Sequence, residues 1–138
     1  MAQGTRIGSA VMFVQELDRS VNFYCDVLGL RVADTSATAA LLVGDEGSQL
    51  ILRAMGSNAT HALGSVGVQY VVWEAPDAEF LDRCERLLKE RSAHRESREE
   101  GGNRAVEGSD PDGIAVMIVY PGPVAGKPRT LPTRIYGW

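Results

Sequence analysis

The chain has 138 residues, 44% of them hydrophobic, and a formal net charge of −4. That length suits one domain, or two small halves that share a core. The acidic balance argues against a nucleic-acid partner, and no apolar run reaches the roughly 18–20 residues that would argue for a membrane span.

The opening residues, "MAQGTRIGSA", contain no hydrophobic signal segment, so a cytoplasmic location is expected. "IGSAVMFV" (7–14) is short, apolar and bounded by polar residues, and predicts a strand. "ELDRSVNFYCDVLGLRV" (16–32) predicts a helix with Asp18 as its cap. Val21, Tyr24, Cys25 and Leu28 form one apolar face, and Gly29 is the stop. "LRVADT" (30–35), "AALLVG" (39–44) and "SQLILRA" (48–54) predict three strands, with "GDEGS" as a turn.

"MGSNATHALGSVG" (55–67) reads as a linker. The pattern then repeats. "VQYVVWEA" (68–75) predicts a strand. Pro76 and Asp77 open a second helix with Asp77 as cap and Phe80, Leu81, Cys84, Leu87 and Leu88 as the apolar face. Two polar hairpin strands fit around Gly101 and Gly102. "DPDG" (110–113) is a strong turn signal before the apolar strand "IAVMIVY" (114–120). The remainder, ending in Tyr136, Gly137 and Trp138, reads as a tail that crosses the ligand cup, meets a partner subunit, or stays unordered. Cys25 and Cys84 lie one in each helix, without C-x-x-C spacing, and read as buried inert thiols.

The chain is therefore an internal duplication of strand-helix-strand-strand-strand. The expected class is α+β: two βαβββ modules forming a curved, cup-shaped mixed sheet with helices on the outer face. Such a cup is a natural place for a small ligand.

The order and the motifs resemble the vicinal oxygen chelate superfamily, which includes glyoxalase I, extradiol dioxygenases, fosfomycin-resistance enzymes and bleomycin-resistance proteins. The residues carrying the likeness are "FVQELDRSVNFYCDVLGLRV" (13–32), "VVWEAPDAEFLDRCERLL" (71–88) and "GSDPDGIAVMIVY" (108–120). The resemblance implies a single domain over 1–138: module one at 7–55, linker 56–67, module two 68–121 and a tail 122–138. It also implies a homodimer.

Metal-using members hold one divalent ion with His, Glu or Gln on the first and last strands of each module. The family's first-strand position, seven residues before the acid that precedes the helix, is Ser9 in module one and Tyr70 in module two, where Gln69 is adjacent. Its last-strand position is Ile51 (or Gln49 if the strand is shifted) and Met117. These residue types do not make a divalent-metal site. His61 and His94 match no family position. No metal and no cofactor are expected.

Strand alternation assigns Ser9, Val11 and Phe13, then Gln49, Ile51 and Arg53, then Tyr70, Val72 and Glu74, then Ala115, Met117 and Val119 to the cup. Met12, Leu50, Leu52, Trp73 and Ile118 go beneath the helices. The expected ligand-binding residues are Ser9, Phe13, Gln49, Ile51, Arg53, Tyr70, Val72, Glu74 and Met117. Arg53 and Glu74 pair at the rim, hold a charged ligand group, or simply face solvent.

Three readings of function remain open. The first is a metal-independent protein that sequesters a hydrophobic or aromatic small organic molecule. The second is a lyase, isomerase or oxygenase using a relocated metal or metal-free acid–base chemistry, with Glu74, Arg53 and Tyr70 as catalytic candidates. The third is a structural or regulatory module whose cup is closed by side chains.

Overall fold

The computed structural model describes residues 4–61, 64–100, 102–122 and 133–137. The chain divides into two units, Met1–Thr60 and His61–Trp138. No helix among the described residues is long and apolar enough to cross a membrane.

In the first unit, β1 (Ser9–Val14), α1 (Leu17–Leu28), β2 (Arg31–Thr35), β3 (Ala39–Val43) and β4 (Gln49–Ala54) follow in chain order. The sheet order is β1-β4-β3-β2. β1 runs parallel to β4, and the other pairs are antiparallel. Two consecutive residues of a strand face opposite ways. Leu42, Leu50 and Leu52 accordingly go beneath α1 and are fully buried. From α1, Phe23, Tyr24, Val27 and Leu28 pack into the same core. Phe23 and Tyr24 meet edge to face, 5.2 Å between ring centroids.

Two details of α1 correct the sequence reading. The cap is Glu16, whose backbone is extended (φ −125°, ψ 121°) and whose side chain caps nothing. Asp18 lies inside the first turn, where its charge faces the positive end of the helix dipole. The buried face is also rotated: Val21 and Cys25 are half-buried, and Phe23 and Val27 lie at its centre with Ser20. Gly29 ends the helix as expected, in the left-handed conformation (φ 70°) that glycine adopts without strain.

The second unit repeats the plan with β5 (Val71–Glu74), α2 (Ala78–Glu90), β6 (His94–Glu100), β7 (Asn103–Ser109) and β8 (Ala115–Tyr120). Its sheet order is β5-β8-β7-β6, again with a parallel first pair. The α+β class with two βαβββ modules is thus present, hydrogen-bonded as two four-stranded mixed sheets. Asp77 caps α2, its Oδ1 accepting from the Phe80 N–H at 2.7 Å. Leu81, Cys84 and Leu88 are its buried residues.

Gly108 on β7 lets α2 approach closely. A Cβ there would stand 2.6 Å from Leu88 Cδ2 and 2.8 Å from the Ala93 carbonyl. The "DPDG" turn is pinned by the buried Asp110. Its Oδ1 accepts from the N–H groups of Asp112 (2.8 Å) and Ile114 (2.9 Å). Gly113 takes φ 82° to close it.

β5 is shorter than expected, because Gln69 is committed to the preceding turn. Its Nε2 donates to the carbonyls of Ser65 (2.6 Å) and Gly67 (3.0 Å). Tyr70 therefore precedes the strand rather than lying within it. Gly101, Trp138 and the side chain of Tyr136 lie outside the described residues, as does most of the expected tail. Its described end is a 3-10 turn, Thr133–Tyr136.

Candidate ligand-binding faces

Each sheet has one face under its helix and one face opposite. In the first unit the register pairs Ser9 with Gln49, Val11 with Ile51 and Phe13 with Arg53. All six share the face away from α1. The structure thus brings together the six residues that strand alternation assigns here: Ser9, Val11, Phe13, Gln49, Ile51 and Arg53. Val11 is 61% exposed and Phe13 56%, a large apolar offering for same-face neighbours two residues apart on one strand. The Arg53 guanidinium carbon stands 5.7 Å from the Phe13 ring centroid, so a cation covers part of the aromatic face.

In the second unit, the residue alternation on β7 and β8 sets what the open face holds. Gly108 and Val116 turn toward α2, so Glu107 and Met117 turn away. Val72, Met117, Glu107 and Glu96 lie in one row across the four strands, and Glu74, Val119, Ala105 and Arg98 lie in the next. Val72 is 47% exposed, but Met117 is only 5% exposed and forms floor rather than contact surface. Glu74 is exposed, and the backbone of Gly122 packs against its side chain; a Cβ at Gly122 would overlap that carboxylate.

The central polar group of this face is Glu107, 5% exposed. Three arginines surround it. Arg134, from the C-terminal 3-10 turn, donates through Nε to Oε1 at 2.7 Å and through Nη2 to Oε2 at 3.1 Å. Arg95 approaches Oε2 at 3.5 Å and Arg98 approaches Oε1 at 3.4 Å. The other side of the Arg134 guanidinium meets Tyr70, 4.9 Å from the ring centroid. Burial alone would raise the Glu107 carboxyl pKa, but the hydrogen bonds and charges of Arg134 and Arg95 outweigh it and hold the group below its ordinary value. Arg134 is correspondingly raised, chiefly by its hydrogen bond to Glu107.

Of the second-unit candidates, Val72, Glu74 and Met117 share this face, and Tyr70 joins it through Arg134. Glu107, Arg95, Arg98 and Arg134 were not anticipated from the sequence. The two histidines stand elsewhere. His61 is exposed in the linker. His94 Nε2 lies 2.8 Å from Ser97 Oγ, which donates to Glu85 of α2.

The chain can now be placed among known proteins. Residues 6–118 match the family model described as Glyoxalase/Bleomycin resistance protein/Dioxygenase superfamily. The chain belongs to that superfamily. Solved structures share its fold. One is a glyoxalase/dioxygenase from Nostoc punctiforme, with TM-score 0.72, 18% identity, and 83% of this chain and 89% of that one covered. A glyoxylase/bleomycin resistance protein/dioxygenase domain from Frankia sp. EAN1pec has TM-score 0.69 and 20% identity, covering 86% and 98%. A lactoylglutathione lyase from Agrobacterium tumefaciens has TM-score 0.66 and 19% identity, covering 85% and 94%. No curated protein matches the sequence.

Many members of this superfamily use a divalent ion, and the fit of such an ion can be tested against the residues present. The corresponding positions hold a hydroxyl (Ser9), an amide or alkyl group (Gln49 or Ile51), a phenol (Tyr70) and a buried thioether (Met117). Among the described residues, no three His, Cys, Asp or Glu side chains come together as a metal-holding group. In neither unit do these groups suit a hard or borderline divalent ion.

Proposed function

We propose that this superfamily member is a small-molecule binding protein of the glyoxalase/bleomycin resistance type, holding a hydrophobic or aromatic ligand without a metal. The observation that carries the reading is the first unit's open face. Val11 and Phe13 are presented side by side, Ile51 extends the apolar strip, and Arg53 supplies a cation at its edge. That is the composition of a site for an aromatic body with one polar or anionic substituent. The residue types at the family's metal positions support the metal-free part of the proposal.

The test is calorimetric titration of the purified protein with a panel of aromatic carboxylates and phenols, with product analysis of each mixture by mass spectrometry. Saturable binding, unchanged ligand, and a loss of about tenfold or more in Phe13→Ala are expected. Conversion of the ligand would replace binding with catalysis, and Glu74→Gln then tests the acid–base candidate. Near-stoichiometric, chelator-sensitive metal in tag-free protein would remove the metal-free element.

A further inference from the structure

Glu107 is a carboxylate built into the middle of a sheet face, where an unpaired charge is costly. Its position is set by β7 and owes nothing to the C-terminal turn: the register with Met117 on β8 and Glu96 on β6 holds it there. The group that satisfies it comes from far along the chain. Arg134 presents two N–H donors to the two carboxylate oxygens, at 2.7 and 3.1 Å, and its guanidinium carbon stands 4.9 Å from the Tyr70 ring centroid. A flat, delocalised cation with two adjacent donors meets both demands at once, whereas an ammonium, a point charge, does not.

The neighbouring arginines hold it more loosely. Arg98 Nη2 donates to Oε1 at 3.4 Å and Arg95 stands 3.5 Å from Oε2, both longer than the Arg134 contacts. Arg98 is also shared with Glu96 at 3.2 Å, and Arg95 with the Gly113 carbonyl at 3.4 Å. Taking Arg134 away removes the two short donors and leaves the carboxylate with these longer contacts, beside the Tyr70 ring.

We infer that Glu107 and Tyr70 form a receptor for a planar organic cation of the guanidinium or amidinium class, and that the chain's own Arg134 fills it until such a ligand takes its place. Exchange of one monocation for another leaves the charge of the cluster unchanged, so it meets no new repulsion from Arg95 and Arg98. Arg134 acts as a tethered competitor and lowers the apparent affinity of the receptor for free ligand. The inference rests on reading the second unit's open face as a ligand face. Its readout is nevertheless separate from the Phe13 test, which reports on the first unit.

The probe is benzamidine, with benzoate as the opposing charge. In Arg134→Ala, benzamidine should bind saturably, about tenfold or more tighter than in the wild type, and raise the melting temperature. Adding Glu107→Gln should abolish both effects. Equal affinity in wild type and Arg134→Ala, binding that survives Glu107→Gln, or preference for benzoate would overturn the receptor. Should Arg134→Ala fail to fold, the wild type carries the test. Benzamidine, but not benzoate, should saturably shift the Arg134 Nε–H resonance in a nitrogen-15 spectrum, and an unmoved resonance at the solubility limit overturns it. An aromatic panel that binds through Phe13 while benzamidine fails would sink this inference alone.

Discussion

The Arg134 guanidinium closes on both oxygens of Glu107 and makes a buried ion pair between the C-terminal turn and the centre of the second sheet. Its worth is pH-dependent. The folded carboxyl pKa lies below the ordinary one, because Arg134 and Arg95 outweigh the burial that would raise it. The stabilisation is therefore fully present above the unfolded-state pKa, about 4, and is lost as pH falls through the lower, folded value. Glu107→Gln should cost about 3 kcal/mol near neutrality. Melting temperatures measured between acid and neutral pH should show the gap between wild type and variant closing on the acid side. A constant gap would mean that the Glu107 charge is not what Arg134 holds.

Ser20 offers the opposite case. It sits on the buried face of α1, fully buried, and its Oγ finds no hydrogen-bond partner among the described residues. A hydroxyl without a partner in a core is a cost, and alanine is the better helix former. Ser20→Ala should stabilise the protein by about 1 kcal/mol, read as a raised urea midpoint with an unchanged slope. A lowered midpoint would show that the hydroxyl has a partner after all.

What could be read from the residues follows from how local the controlling interactions are. The duplicated strand-helix-strand-strand-strand order, the Gly29 stop and the Asp77 cap are near-neighbour effects, and all three stand in the structure. Alternation placed Ser9, Phe13, Gln49, Ile51 and Arg53 on one face, since β1 and β4 pair odd with odd. Asp18 failed as cap because helix entry is decided by the extended backbone at Glu16. Tyr70 falls within the strand expected over 68–75 but precedes the observed one; the Gln69 side chain, bonded to Ser65 and Gly67, holds the turn to that point.

The place of Glu107 has a local signal in the sequence. The "DPDG" turn fixes β7 against β8 so that Ser109 pairs with Ala115, and two residues further along Glu107 must oppose Met117. Among the polar residues of the hairpin expected around Gly101 and Gly102, an acid destined for a central strand does not stand out. Arg134 carried no such signal. Its contact with Glu107 spans 27 residues, and nothing in the composition near Arg134 specifies it.

The same turn supplies the next prediction. Asp110 is 5% exposed, and one of its oxygens accepts two backbone N–H groups, from Asp112 and Ile114. Asp110→Ala would leave those donors without that acceptor, a cost of about 1–3 kcal/mol. Asp110→Asn keeps an acceptor of the same shape and should cost less. Equal losses in chemical denaturation would assign the effect to the charge rather than to the turn geometry.

The two thiols should differ in kind from a reactive pair. Cys84 lies on the buried face of α2, and burial pushes its pKa up to about 11, an effect only partly opposed by Arg83. Cys25 is half-buried, and burial together with the neighbouring Asp26 raises its pKa too. The thiolate is the attacking species, so both are weak nucleophiles near neutral pH, and only Cys25 is open to a reagent. Ellman's reagent at mildly alkaline pH should therefore label the native protein at one site, more slowly than a free thiol, and at the second only on unfolding. In Cys25→Ser the native-state signal should vanish and the denatured-state signal should remain. Rapid labelling of Cys84 in that variant would mean that α2 opens on the timescale of the assay, because Cys84 is fully buried.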